Sequence, residues 1–372
     1  MHIETKAIHA GLDIHAETSD VVPPIHKSTV FELREEGYQE GDLNYTRHIN
    51  PNRLQLEKLL AELEEGESCA AFSSGVAAAT AVFQALKPDD HVLMPDDVYA
   101  GNRKLVKEVM KPWGLEANFI PMTDVSNVEK AIQENTTLIW IETPSNPLLN
   151  ITDITAVCEL AHEQNIIVCV DNTWPSPVNQ LPLNLGADLV LHSTTKYFGG
   201  HSDILGGAVI GKKADAIMQR VKELQVMTGA VPSPEDCWML SRSIRTLPYR
   251  MRAHNENAAK VAEFLQNHSK VEKVLYPGLK THEGHEIAKK QMSGFGGMIS
   301  FLVKGSADDT LKTVAGSKLI GRATSLGGVE STWEHRLSSE GPDSTTPKNL
   351  IRISVGLEHP DDLLEDLERA LD

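Results

Sequence analysis

Basic residues are in deficit. Lys and Arg total 35 against 52 Asp and Glu, a formal charge of −17 over 372 residues. A nucleic-acid backbone is bound by a surplus of Lys and Arg, so that class of partner is excluded, although a local basic pocket for a small anion is not. Long apolar runs are missing as well. No window approaches the roughly 20 apolar residues of a membrane span, and the start, Met1-His2-Ile3-Glu4-Thr5-Lys6, is too polar for a signal peptide. Cysteine is scarce. Cys69, Cys158, Cys169 and Cys237 form no CxxC pair, which excludes a zinc knuckle, a thioredoxin motif and a disulfide scaffold. Cys158 and Cys169 lie in apolar runs and read as small buried hydrophobes. A reducing cytoplasm is the expected compartment.

What is present is an ordinary globular composition, 41% hydrophobic and 23% charged, with room for two or three domains at roughly 100–200 residues each. The first fifty residues show no sustained period. They hold Pro23-Pro24 and the acidic Glu35, Glu36, Glu40 and Asp42, and read as an extended arm that packs on something else, such as a second subunit. From Arg53, the spacing of Leu56, Leu59, Leu60 and Leu63 predicts a helix that Gly66 stops. A βα alternation follows. Helix-like stretches at 75–86, 101–111 and 153–164 are interleaved with strands at 91–94, 115–120, 137–142, 166–171, 188–192 and 207–211. Apolar strands separated by helices predict an α/β fold with a mostly parallel central sheet covered on both faces. Residues 213–267 read as helical, with a break at Val231-Pro232-Ser233-Pro234. Strand-like runs at 271–276, 298–303 and 350–355, then a helix from Asp361, predict a smaller C-terminal α/β domain. The expected division is an arm (1–50), a large domain (51–235) and a small domain (236–372).

Ligands of open α/β sheets bind beyond the carboxyl ends of the strands. Three predicted strands end in reactive side chains: Asp171-Asn172-Thr173, Ser193-Thr194-Thr195-Lys196, and the turn containing Asn146. One rim thereby collects a lysine, two hydroxyls and an acid. Lys196 is followed by Tyr197-Phe198-Gly199-Gly200, an apolar setting in which an unpaired ammonium is costly. A desolvated lysine has a lowered pKa and becomes a nucleophile. Schiff-base formation with an aldehyde cofactor, pyridoxal phosphate, is its natural use, with Asp171 as partner of the pyridinium nitrogen. Ser73-Ser74-Gly75-Val76 opens a helix whose free amides suit a phosphate, and Ser193 and Thr195 add hydroxyls. Each feature alone has a plainer reading, a helix cap or a solvated lysine; the combination does not. His282-Glu283-Gly284-His285 has its histidines three apart rather than four, so no metal site is expected.

Longer motifs surround these residues. They are Tyr45-Thr46-Arg47-x-x-Asn50-Pro51, Ser73-Ser74-Gly75, Asp97-Val98-Tyr99, Glu142-Thr143-Pro144-Ser145-Asn146-Pro147, Val170-Asp171-Asn172-Thr173, His192-Ser193-Thr194-Thr195-Lys196-Tyr197, Gly199-Gly200-His201-Ser202-Asp203, Thr324 to Ser331, and Arg352 to Glu358. Running from Tyr45 to Glu358, they resemble those of the Cys/Met-metabolism family of pyridoxal-phosphate enzymes, which includes cystathionine γ-synthase, cystathionine γ-lyase, cystathionine β-lyase and methionine γ-lyase. The resemblance implies an aminotransferase-like fold of type I, pyridoxal phosphate as cofactor, an amino-acid substrate, and a homodimer or homotetramer. It implies that Lys196 is the Schiff-base lysine and proton shuttle and Asp171 the pyridinium partner. Gly75, Val76, Ser193 and Thr195 would hold the phosphate, with Tyr45 and Arg47 reaching it from a neighbouring subunit. Tyr99 would stack on the cofactor and take part in proton transfer. Arg352, supported by Ser325 and Asn146, would clamp the substrate carboxylate.

Glu330 bears on the reaction. In the resemblance a Glu there is typical of γ-synthases and γ-lyases, whereas β-lyases carry a bulky aromatic. Methionine γ-lyases carry a reactive Cys two residues after the stacking Tyr; here that place is Gly101. Two departures concern the substrate. Relatives show a Pro-containing segment ending in Thr-His where this chain reads Ser331-Thr332-Trp333-Glu334-His335-Arg336-Leu337-Ser338-Ser339-Glu340-Gly341, and a Tyr or Asn where it has Arg103. The expected activity is γ-elimination or γ-replacement on cystathionine or an O-acyl-homoserine. The alternatives are β-elimination from cystathionine or a cysteine conjugate, an aminotransferase, and a catalytically silent homologue.

Overall fold

Two β-sheets organise the computed structural model, which describes residues 1–12, 19–33, 35–39, 41–340 and 346–372. Glu40 and Gly341, named above, lie outside the described residues. The first sheet contains β1 (Ser68–Phe72), β2 (His91–Pro95), β3 (Glu116–Ile120), β4 (Thr136–Glu142), β5 (Ile167–Asp171), β6 (Leu189–His192) and β7 (Gly207–Gly211) in the order β1-β7-β6-β5-β4-β2-β3. The second contains β8 (Val271–Leu275), β9 (Met298–Val303), β10 (Gly321–Arg322), β11 (Thr332–His335) and β12 (Leu350–Ser354) in the order β10-β11-β12-β9-β8.

Alternation along the strands fills both faces of the first sheet. On β4, Ile139 and Ile141 join one apolar cluster with Val168, Val170 and Val190, while Leu138 and Trp140 join the other with Cys169, Leu191 and Val209. A strand buried on both sides cannot alternate with polar residues, which is why these runs read as continuous apolar segments. β2 to β6 are mutually parallel where they pair, but β7 runs antiparallel to β6 and β1 antiparallel to β7. The expectation of strand 207–211 as one more parallel member is thus corrected. β1 was not foreseen: Ser68-Cys69-Ala70-Ala71-Phe72 lacks the β-branched residues that signal a strand.

The N-terminal region also differs from expectation. Residues Ile3–His9 form a helix, α1, that buries Ala7 and pairs Lys6 with Glu65 at 2.6 Å. The helix expected from Arg53 is α2 (Pro51–Glu64); the Asn50 side chain caps its start and Glu65 ends it in a left-handed conformation. α3 (Gly75–Gln84) and α4 (Ala100–Leu105) follow, the latter continuing through a π turn at Val106–Met110 to Trp113.

The second sheet stacks Ile299, Phe301, Ile351 and Ile353 against Leu363 and Leu367 of the closing helix Pro360–Leu371. Arg352 therefore points to the other side. Register places Glu334 of β11 and Ser300 of β9 on either side of it. This polar row docks on the turn after β4. The Ser300 hydroxyl donates to Pro147 O at 2.7 Å, and Arg352 Nη1 donates to Asn146 Oδ1 at 2.8 Å. A cleft is left where the two sheets meet.

Candidate active site

The cleft holds a cavity of about 430 Å³ at the carboxyl ends of β4, β5 and β6. Gly75, Val76, Tyr99, Asn146, Asp171, Ser193, Thr195, Lys196, Ser325 and Arg352 all line it. Residues far apart in sequence are collected because parallel strands end at a common rim.

One end is built from α3. The Ser74 hydroxyl accepts from Ala77 N at 3.1 Å and caps the helix. The amides of Gly75 and Val76, at its first two positions, have no helix partner and point to an anion. A Cβ at Gly75 would lie 2.8 Å from Ser193 Cβ, so only glycine lets this helix start rest on the end of β6. Thr195 Oγ1 accepts from Gly206 N at 3.0 Å and donates to Gly206 O at 3.2 Å.

The acid end lies on neighbouring strands. Asp171 closes β5 and accepts from Thr173 N at 3.0 Å. Glu142 closes β4 directly opposite Asp171 and accepts from Tyr99 N at 2.9 Å. Burial, then the adjacent Asp171 carboxylate, pushes Glu142 well above the ordinary carboxylate range. Burial raises Asp171 too, against its bonds from Thr173 and the charge of His192. Each carboxylate disfavours ionisation of the other, because like charges side by side raise both. Behind them His192 Nε2 and Glu64 Oε1 form a fully buried pair at 2.5 Å.

Between these ends lies the amine. Lys196 Nζ donates to Ser325 Oγ at 2.6 Å. Its pKa is lowered to about 8, chiefly by burial and then by the charges of Arg352 and Arg336. Ser325 holds a left-handed backbone at φ 77°, a strained conformation that clusters at functional sites. The Ser325 carbonyl accepts from Arg352 Nη2 at 3.1 Å. Arg352 is 4% exposed, and burial, then Arg336, lowers its pKa to about 10. It remains a cation at neutral pH.

Tyr99 is 42% exposed above the cavity. A Cβ at Gly101 would lie 2.3 Å from Tyr99 Cε1, so a side chain at that place would displace the ring. Glu330 lies apart from this cavity, in an adjoining one that shares Thr195, Thr324, Ser325 and Leu326, where the Ser202 hydroxyl donates to it. Tyr45 and Arg47 line neither cavity of their own chain; Arg47 Nη1 donates to Val226 O at 3.0 Å. Arg103 also points elsewhere. Its guanidinium covers the Phe119 ring at 4.8 Å and donates to Asp96 O, so that departure does not alter the cavity wall.

The other departure does. Arg336, Ser339 and Glu340 line the cavity, and Glu334 bonds to both Arg352 and Arg336. Sequence reasoning marked the segment but none of its residues. The available signal was the order Glu334-x-Arg336 beside a strand, which means nothing until β11 is paired with β12.

Pyridoxal phosphate presents a phosphate, a pyridine nitrogen and an aldehyde. The cavity presents unpartnered helix amides, a half-buried carboxylate and an amine of lowered pKa, so its residues fit that group. A family model described as Cys/Met metabolism PLP-dependent enzyme matches residues 4–372. The chain is 46% identical to cystathionine gamma-synthase of Mycobacterium leprae over 375 residues, covering 99% of this chain and 96% of that one. It is 42% identical to cystathionine gamma-lyase of Dictyostelium discoideum, covering 100% and 97%. The crystal structure of metB from Corynebacterium glutamicum superposes with a TM-score of 0.97 at 43% identity, covering 100% and 98%. With match, geometry and chemistry in agreement, the chain belongs to the Cys/Met metabolism family of pyridoxal-phosphate-dependent enzymes.

Proposed function

We propose that this chain carries out γ-elimination or γ-replacement on cystathionine or an O-acyl-homoserine, in sulfur amino-acid metabolism. One observation carries the reading: a single cavity is lined by an amine with a pKa of about 8, a half-buried acid and a buried guanidinium. Relatives named cystathionine gamma-synthase and gamma-lyase support γ-chemistry, as does the Glu at position 330.

When bound, pyridoxal phosphate supplies a sink for the electrons left at the substrate α-carbon. The amides of Gly75 and Val76 and the hydroxyls of Ser193 and Thr195 would hold the phosphate end. Asp171 would be the partner of the ring nitrogen and favour its protonated form, and Tyr99 would pack against the ring. Arg352, held by Asn146 and Ser325, grips the substrate α-carboxylate as a planar fork. Lys196 then removes the α-proton. γ-Chemistry requires a β-proton to leave as well, so one base must reach both carbons. A lysine on a four-carbon stem does this, and a pKa of about 8 leaves a useful fraction of free base at neutral pH. Glu330, in the adjoining cavity, is assigned to substrate binding.

The same reading assigns Tyr45 and Arg47 to a neighbouring subunit's phosphate site, in a homodimer or homotetramer. It divides the chain into an arm (1–50), a cofactor domain (51–235) and a smaller domain (236–372). It places the protein in the cytoplasm, where its four cysteines, all unpaired and buried, stay reduced.

The test is product identification. The holoenzyme is incubated with cystathionine, and separately with acylated homoserine plus cysteine. Cysteine with 2-oxobutyrate marks γ-lyase activity, and new cystathionine marks γ-synthase activity. Homocysteine with pyruvate would replace the reading by β-elimination. Pyridoxamine phosphate formed with a keto-acid acceptor would replace it by transamination.

A further inference from the structure

Arg352 is already engaged by a carboxylate of its own chain. Its Nη2 forms an ion pair with Glu334 Oε1 at 2.5 Å and donates to Ser325 O at 3.1 Å. A substrate carboxylate taking the guanidinium as a fork across Nη1 and Nη2 must replace Glu334 at one prong. Glu334 cannot withdraw into water, because it is 6% exposed on β11. A buried carboxylate that lost its cation would carry a heavy desolvation cost.

A second cation stands beside it. Arg336 Nη1 donates to the same Oε1 at 2.9 Å, while Arg336 Nε holds Glu340 Oε1 at 2.7 Å. Two ends of this network are unused. Glu334 Oε2 is buried without a partner. Among the described residues, Arg336 Nη2 makes no hydrogen bond. A rotation of the Glu334 carboxylate that joined these two ends into a bidentate pair would free a prong of Arg352 in the same movement.

We propose that Glu334 is an internal stand-in for the substrate carboxylate on Arg352, and that Arg336 receives Glu334 when the substrate binds. The pair then sets the affinity for the α-carboxylate. Both are positioning residues that act through Arg352, and the proposal rests on Arg352 being the carboxylate clamp.

The experiment titrates the holoenzyme with glycine, an amino acid carrying the α-carboxylate and nothing beyond it. Binding is followed by calorimetry and by the visible absorbance of the cofactor. Glu334→Gln removes the competitor and tightens glycine by about tenfold; Arg336→Met leaves Glu334 with Arg352 alone and weakens glycine by about tenfold. Glu334→Asp and Arg336→Lys shift affinity in the same two directions by less, and serve if a stronger variant does not fold. With cystathionine the shifts in KM follow the same two directions. A merely structural role would weaken binding in every variant. Shifts of one sign, or none, overturn the exchange. Absence of glycine binding in the natural protein overturns both clamp and exchange, whereas glycine binding without cystathionine turnover overturns only the γ-reading.

Discussion

At the scale of the residue, burial is the main influence on the charge of Lys196 and Arg352. The folded pKa of Lys196, about 8, lies below its ordinary 10.5. Between those values the unfolded chain binds more protons than the folded one, so stability of the cofactor-free protein rises with pH across the window. Urea denaturation from pH 7 to 10.5 should show this rise, and Lys196→Met should reduce it. Lys196→Ala should lower kcat by about 1000-fold, the scale of a lost general base. Arg352→Ala should raise KM by about 30-fold or more, because it removes one partner of a buried charge pair. The lysine and the acid were legible in the sequence because an apolar strand that stops at a charged residue announces a rim. Arg352 was legible only through the family resemblance, because its alternation with Ile351 and Ile353 suits an exposed arginine equally well. Glu334 and Arg336 were not, since their meaning depends on strand pairing across β11 and β12.

Among the elements, those buried on both faces were the easiest to read. β4, β5 and β6 stand out because every side chain must be apolar, whereas β1 is built of small residues and carries no such mark. Direction was invisible: β7 is as apolar as its neighbours yet runs the other way, and periodicity does not encode polarity of the chain. α1 is too short for its period to show. The start of α3 gives a prediction at this scale. Gly75→Ala places a Cβ 2.8 Å from Ser193 Cβ and pushes the helix start off β6. Affinity for pyridoxal phosphate should fall by about tenfold or more, measured by absorbance titration of the cofactor-free protein. Helix propensity alone favours alanine, so the thermal midpoint without cofactor should change little.

For the whole molecule, the N-terminal arm is packed on its own chain through α1 but leaves large apolar side chains uncovered further along. Val21 is 83% exposed, Val30 65% and Leu33 54%, and Tyr45 and Arg47 stand off the cavity they are assigned to. An assembly in which each arm completes a neighbour's site makes a sharp prediction. Lys196→Ala and Arg47→Ala are each inactive, but mixed and reassembled they should recover about a quarter of full activity. Half the dimers would be hybrids, each with one intact site. No recovery despite exchange of subunits would assign Arg47 to its own chain. The central claim concerns Lys196 itself, and the most direct measurement is borohydride reduction of the holoenzyme followed by peptide mass spectrometry. The expected result is a pyridoxyl group on Lys196 alone, with loss of the visible absorbance. A label on Lys212, Lys213 or any other lysine, or no label at all, would contradict it.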